Sequence, residues 1–192
     1  MDNAPDLEMN HLPMLARTHL AACLEGKPGF KDREKWVKLL PPLGKQGACF
    51  VTLTHKGALR GCIGSLEAHR SLLDDLLDNC LAAATRDPRF RPVTRPELDE
   101  ITLEVSILTP AVELHYQDTE DLLAQLQPGV HGVILSHSGR RSTFLPQVWE
   151  QIPAKETFLN HLCQKAGLDG DCWRRKPGIR VYRVEKFKEI KS

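Results

Sequence analysis

No apolar stretch in this 192-residue chain approaches the ~18 residues that a membrane span needs, so no transmembrane helix is expected. Charge of one sign is equally scarce. Lys and Arg number 26 against 25 Asp and Glu, a net charge of +1, and no block of like charge exceeds a few residues. A broad footprint for nucleic acid or for an anionic membrane is therefore not expected. The N-terminal "MDNAPDLEMN" is acidic where a secretion signal needs basic residues followed by an apolar run. The expectation is a cytoplasmic protein. The six cysteines, at 23, 49, 62, 80, 163 and 172, include no CxxC pair, which argues against structural zinc. Without export, reduced thiols are expected rather than disulfides. A Walker loop, a GxGxxG fingerprint, HExxH and GxSxG are all missing. No cofactor and no metal is expected.

What is present is a repeated order of elements. Leu7, Leu12, Leu15, Ala16, Leu20 and Cys23 recur at helical spacing. "GACFVTLT" reads as a strand, "HKG" as a tight turn and "ALRGCIG" as the returning partner. "SLLDDLLDNCLAAATR" reads as an amphipathic helix with Ser71 at its N-cap. In "ITLEVSILT", Ile101, Leu103, Val105 and Ile107 alternate with Thr102, Glu104 and Ser106. The second half repeats this order. "HGVILSHSGRRSTFLP" (131–146) can be laid without a gap under "CFVTLTHKGALRGCIG" (49–64), and "AKETFLNHLCQKAGL" and "GIRVYRVEKF" follow as helix and strand. The prediction is one α+β domain of internally duplicated hairpin–helix–strand units. Its sheet is mostly antiparallel with outer helices, and its two lobes, roughly 10–110 and 111–187, surround a cleft.

Within "LRGCIG", strand periodicity puts Leu59, Gly61 and Ile63 on one face and Arg60, Cys62 and Gly64 on the other. Arg60 and Cys62 then lie about 7 Å apart, close enough for the guanidinium to favour a thiolate. Gly64 and Ser65 sit where the strand runs out before a helix, and their N–H groups can receive an anion. Two readings stand. In one, Cys62 is a nucleophile, Arg60 binds substrate, Gly61 and Gly64 seat it, and Glu104 or His131 moves protons. In the other, Gly61 marks a β-bulge, Cys62 is packed and Arg60 pairs with a surface carboxylate. Cys23, Cys49 and Cys80 read as core fillers. "DPRF" reads as a helix-ending turn in which Asp87 and Arg89 lock the chain or meet a ligand.

These stretches resemble the AMMECR family, the Alport syndrome, mental retardation, midface hypoplasia and elliptocytosis chromosomal-region proteins. "GACFVTLTHKGALRGCIGSL", "DPRFRPV", "LEVSILTP", "GVHGVIL" and "FLPQVWEQ…FLNHLCQKAGL" carry the likeness over about residues 10–187. It implies a two-lobed fold with "LRGCIG" (Leu59, Arg60, Gly61, Cys62, Ile63, Gly64) lining the cleft. Asp87, Pro88, Arg89 and Phe90 match its second block, and Glu104, Ser106, Gly129 and His131 match positions the resemblance implies near that cleft. Relatives often accompany a Memo-like protein and a radical SAM protein in the AmmeMemoRadiSam system, which makes those the expected partners. The expected function is a cysteine-dependent group or acyl transfer. The alternative is a non-catalytic module binding a small molecule or peptide, and an RNA-associated role is disfavoured by the balanced charge.

Overall fold

The structure is a computed structural model that describes residues 9–190; Leu7 lies outside them. The chain divides into two compact units, residues 9–108 with 185–190, and residues 109–184. In the first unit, helix α1 (Leu12–Leu24) buries Leu12, Leu15, Ala16 and Leu20. Helix α2 (Arg33–Leu39) stops before Pro41-Pro42, which cannot donate the hydrogen bonds that would extend it. Strands β1 (Ala48–His55) and β2 (Ala58–Gly64) form an antiparallel hairpin. Helix α3 (Leu72–Thr85) begins at Ser71, whose hydroxyl accepts the Asp74 N–H at 3.1 Å. The four-residue helix α4 (Arg95–Leu98) opens with a capping box between Thr94 and Glu97. Strand β3 (Ile101–Leu108) pairs with β1 and alternates as its sequence predicts, with Ile101, Leu103 and Val105 fully buried. Helix α3 packs on β1 and β2, and α1 packs on α3 and β3. Each fully buried leucine there contributes about 1.5–3 kcal/mol.

The second unit holds β4 (Val112–Glu113), helix α5 (Thr119–Gln125), strands β5 (Gly132–His137) and β6 (Arg140–Phe144), helix α6 (Lys155–Lys165) and β7 (Gly178–Tyr182). Its sheet runs β4-β7-β5-β6 around a core of its own, in which Trp149 stacks on Phe158 at 3.6 Å. The chain then returns to the first unit as β8 (Val184–Lys188), giving that sheet the order β2-β1-β3-β8. The segment "GIRVYRVEKF", expected as one strand, is thus two strands in different sheets, parted at Arg183. No helix among the described residues is long and apolar enough to cross a membrane.

The two sheets share a plan. In each, a hairpin strand (β1, β5) is flanked by its hairpin partner (β2, β6) and by a later strand (β3, β7), with a helix between them in sequence. The turns match in detail. Lys56 and Gly57 have φ of 51° and 83°, and Ser138 and Gly139 have 49° and 73°. Both are two-residue turns with two positive φ values, the type that suits strand twist and favours glycine in second place.

The ungapped alignment fails at one residue. In the first hairpin Thr54 pairs with Leu59, but Leu53 pairs with Gly61, so Arg60 is an extra residue in a β-bulge. The second hairpin has no such break: Ser136 pairs with Arg141 and Leu135 with Ser142. Gly61 therefore corresponds to Ser142. Both abut a helix carbonyl. A Cβ on Gly61 would lie 2.1 Å from Ala83 O of α3, whereas Ser142 is buried and donates its hydroxyl to Leu162 O of α6 at 2.6 Å.

The thiols divide otherwise than expected. Cys49 and Cys80 are buried in the core, and burial pushes the Cys80 thiol up to about 12. Cys23 is only half-buried. Cys163 and Cys172 form a disulfide, which corrects the expectation of six reduced thiols. After α6 the chain turns back on itself, with Leu168 N–H donating to Cys163 O at 3.0 Å, and the two Cα atoms come within 5.8 Å.

Candidate functional site

The bulge lies on β2, an edge strand, and it re-aims Arg60. Period two no longer holds across it. Leu59 takes the side of its partner Thr54 and is 44% exposed, while Gly61 takes the side of Leu53, toward α3. Arg60 is not directed at Cys62. Its Nε and Nη2 donate to Glu97 Oε1 and Oε2 at 2.6 and 3.1 Å, and its guanidinium carbon stands 5.9 Å from the centre of the Phe90 ring. Glu97 is held for this by its helix, since Thr94 N–H donates to Glu97 Oε2 at 3.5 Å. The Arg60 guanidinium, beside it, lowers the Glu97 carboxyl from its usual range. Arg60 Nη1 is the one buried side-chain nitrogen or oxygen among the described residues that lacks a hydrogen-bond partner. An unmet buried donor costs about 1–3 kcal/mol, and a charged one more.

Arg60 and Glu97, with Thr94 and the run Arg89–Pro92, enclose a cavity of about 630 Å³. Arg91 is exposed and has no hydrogen-bond or ion-pair partner among the described residues. Arg89, 53% exposed, is held through its Nε and Nη2 by Asp87 and lies 5.4 Å over the Phe90 ring. The site therefore presents two guanidiniums beside one aromatic ring, with Arg91 and a carboxylate also in its lining.

Cys62 stands beside this cavity without lining it. Its sulfur accepts the Thr52 hydroxyl at 3.4 Å from the neighbouring strand. Its backbone N–H donates to Asp87 Oδ2 at 2.9 Å, and its carbonyl accepts Arg89 Nη2 at 3.4 Å. Asp87 is the keystone of this turn. Its nearly sealed carboxylate also takes the Arg89 N–H, Nε and Nη2, at 3.1, 2.9 and 2.7 Å. Arg89, aided by the Cys62 N–H, holds that carboxyl far below the usual range against the opposing effect of burial. The cation beside Cys62 is thus Arg89, acting through the backbone, where the sequence pointed to Arg60.

Of the remaining expected residues, Glu104 and Ser106 share the sheet of Cys62 and Gly64, while His131 lies in the other unit. Glu104 is paired across β1 in the row Cys62–Thr52–Glu104, with Lys186 Nζ at 4.0 Å. Ser106 is buried in the next row, opposite Phe50 and Gly64. A Cβ on Gly64 would lie 2.2 Å from the Phe50 ring, so this glycine is a berth for an aromatic side chain. Ile63 packs on the core. The anion pocket expected at Gly64 and Ser65 is not formed there. Ser65 N–H donates to Cys49 O at 3.0 Å, and helix α3 begins only at Leu72. His131 lies in the second unit and precedes β5 rather than sitting within a strand. Its ring Nδ1 accepts Gln127 N–H at 3.3 Å and its carbonyl accepts Trp149 Nε1 at 2.7 Å. Burial, with Arg183 nearby, lowers its pKa and favours the neutral acceptor form.

Glu97, Arg91 and Thr94 were missed by the sequence reading. "TRPE" carries the capping-box spacing with proline at an early helical position, a signal that would have placed Glu97 at a helix start. A buried polar cluster was missed as well. Asp75 is fully buried and accepts Cys49 N–H, Ser65 Oγ, Arg70 Nε and Asn79 Nδ2 at 2.9, 2.6, 2.8 and 2.9 Å. This cluster ties the start of β1 and the loop after β2 to α3. No group of His, Cys, Asp and Glu among the described residues is arranged to hold a metal ion.

The AMMECR1 family model matches residues 13–187. A protein of Methanosarcina barkeri is 36% identical over 185 residues, 96% of this chain and 91% of its own length. One of Methanothermobacter thermautotrophicus is 44% identical over 141 residues, 71% of each chain. The crystal structure of an uncharacterised protein from Pyrococcus horikoshii is similar with a TM-score of 0.76 and 30% identity, covering 94% of this chain and 90% of that one.

Proposed function

The chain belongs to the AMMECR1 family, and from that premise we propose that it is a ligand-binding protein whose site is the arginine cavity beside "LRGCIG", occupied by a small anionic molecule. The observation that carries this reading is the cavity itself, about 630 Å³ with Arg60, Arg89 and Arg91 around it. Its volume falls within the ~300–1,000 Å³ of small-molecule sites. Guanidinium forks match planar oxyanions, and Arg60 and Arg89 are pre-set by carboxylates behind them, so little ordering is left for binding. The test incubates the protein with a small-molecule extract and reads retained mass by native mass spectrometry. Retention by the wild type and by Cys62→Ser, with loss in Arg91→Glu, supports the reading. Equal retention by Arg91→Glu removes this cavity from the account.

A second reading, a cysteine-dependent group or acyl transfer, is favoured by the half-buried Cys62 sulfur and the Thr52 hydroxyl that reaches it. In that chemistry the Cys62 sulfur attacks the acyl carbon, a thioester forms, and the donor's leaving group departs with the proton from sulfur. An acyl mass on the Cys62 peptide after exposure to a small thioester, absent in Cys62→Ala, would support it. An unmodified peptide would count against it.

A further inference from the structure

We infer that the ligand of this cavity is a monoanion presenting a carboxylate, not a phosphate monoester, a polyphosphate or a phosphodiester; this rests on the binding reading above. Charge carries the argument. Three guanidiniums stand there against two carboxylates. Glu97 meets Arg60 with both oxygens, and Asp87 meets Arg89 with both. Those pairs neutralise each other. The positive charge left over is that of Arg91. One negative charge on the ligand completes the set. A second would face Glu97 in a partly enclosed site with no cation left to meet it, and like charges there are penalised more than in water.

The donors narrow the class further. Arg91 offers its whole fork, and Arg60 keeps Nη1 buried without an acceptor. A carboxylate has two in-plane oxygens and a single substituent. Its two oxygens match the Arg91 fork, while the rest of the molecule leaves along Phe90 and Pro92. A phosphodiester also bears one charge, but it carries two substituents and belongs to a chain of such charges. Proteins hold such chains with cations strung along a track, and this molecule has a net charge of only +1.

The experiment follows backbone amide shifts of the full chain during titration with five probes. They are benzoate, an N-acetylated tripeptide with a free C-terminus, the same peptide amidated, dimethyl phosphate and sulfate. The expected result is that benzoate or the free peptide moves residues 89–94, binding at least about tenfold tighter than sulfate, dimethyl phosphate or the amide. Preference for benzoate indicates a small-molecule carboxylate, and preference for the free peptide indicates a chain terminus. Arg91→Gln should weaken carboxylate binding about tenfold without lowering the melting temperature, because Arg91 holds no other side chain or backbone group among the described residues. Glu97→Gln, which adds a net positive charge, should bring sulfate level with carboxylate. Sulfate or dimethyl phosphate binding as tightly as carboxylate to the wild type overturns this inference and leaves the cavity as an anion site. An Arg91→Gln variant that binds carboxylate as well as the wild type overturns it too. No shift at residues 89–94 with any probe overturns both this inference and the binding reading.

Discussion

At Gly61 one hydrogen decides how closely α3 can lie on β2. A methyl there would meet Ala83 O at 2.1 Å, and backbone on both sides cannot yield cheaply. Gly61→Ala should destabilise the fold by about 1–3 kcal/mol, the usual cost of overpacking, read as a lower urea midpoint. Asp87 makes a different kind of prediction. In the folded protein its carboxyl titrates far below the ordinary range, so the unfolded chain binds its proton more readily. Its contribution is complete above the unfolded value of about 4 and is lost as pH falls through the lower folded value. Asp87→Asn should therefore cost about 1.5–3 kcal/mol at neutral pH and flatten the loss of stability below about pH 4. Unfolding curves collected from pH 7 down to about pH 2 would check both. An acid limb identical to that of the wild type would remove Asp87 from its keystone role. Cys62 adds a third expectation, from exposure alone. It should react with an alkylating reagent in the native state while Cys49 and Cys80 stay unmodified, as peptide mapping would show.

The elements were largely legible in the sequence, and the reason is periodicity. The alternation over Ile101–Leu108, the helical spacing of α3 and its Ser71 cap, and the paired turns at Gly57 and Gly139 are local patterns. Local patterns survive without knowledge of partners. A bulge at Gly61 is one of two readings the sequence leaves open, and pattern alone cannot choose it, because a bulge exists only as a mismatch between β2 and β1. A one-residue slip exchanges the faces of a strand. That single residue turned an expected Arg60–Cys62 pair into an Arg60–Glu97 pair and moved the cavity toward "DPRFRPV". The Asp75 cluster was hidden for a like reason, since its members are scattered from Cys49 to Asn79 and meet only after folding. The disulfide runs against the expectation because reduced thiols are inferred from the lack of an export signal, whereas the bond depends on a chain reversal that brings Cys163 and Cys172 together. It closes a loop between positions nine residues apart, and loop-closure entropy puts its worth at about 2–3 kcal/mol. Adding a reductant should lower the unfolding free energy by that amount, seen as a lower urea midpoint in tryptophan fluorescence. Cys172→Ser should show the same loss and no further response to reductant.

For the molecule as a whole, the notable economy is that the first unit is completed by the last residues of the chain. Arg17 of α1 donates to Leu98 O at 2.9 Å, to Ile101 O at 2.5 Å and to the Glu189 carboxylate. Glu189 in turn bonds the backbone of Leu103 through its N–H and its side chain, at 3.0 and 3.3 Å. The C-terminal segment is therefore a structural part of the unit that carries the arginine cavity. Glu189→Ala should cost about 1.5–3 kcal/mol, seen as a lower melting temperature, since it leaves a mostly buried guanidinium without its carboxylate. The proposed binding mode holds ligand on the guanidiniums of Arg60, Arg89 and Arg91 and not on the Cys62 sulfur. Its most direct test is double footprinting, with phenylglyoxal on arginine and iodoacetamide on cysteine, in the presence and absence of small-molecule extract. Extract should slow modification of Arg91 while Cys62 is alkylated as before. Loss of the free thiol at Cys62, with Arg91 reacting at its unliganded rate, would contradict it.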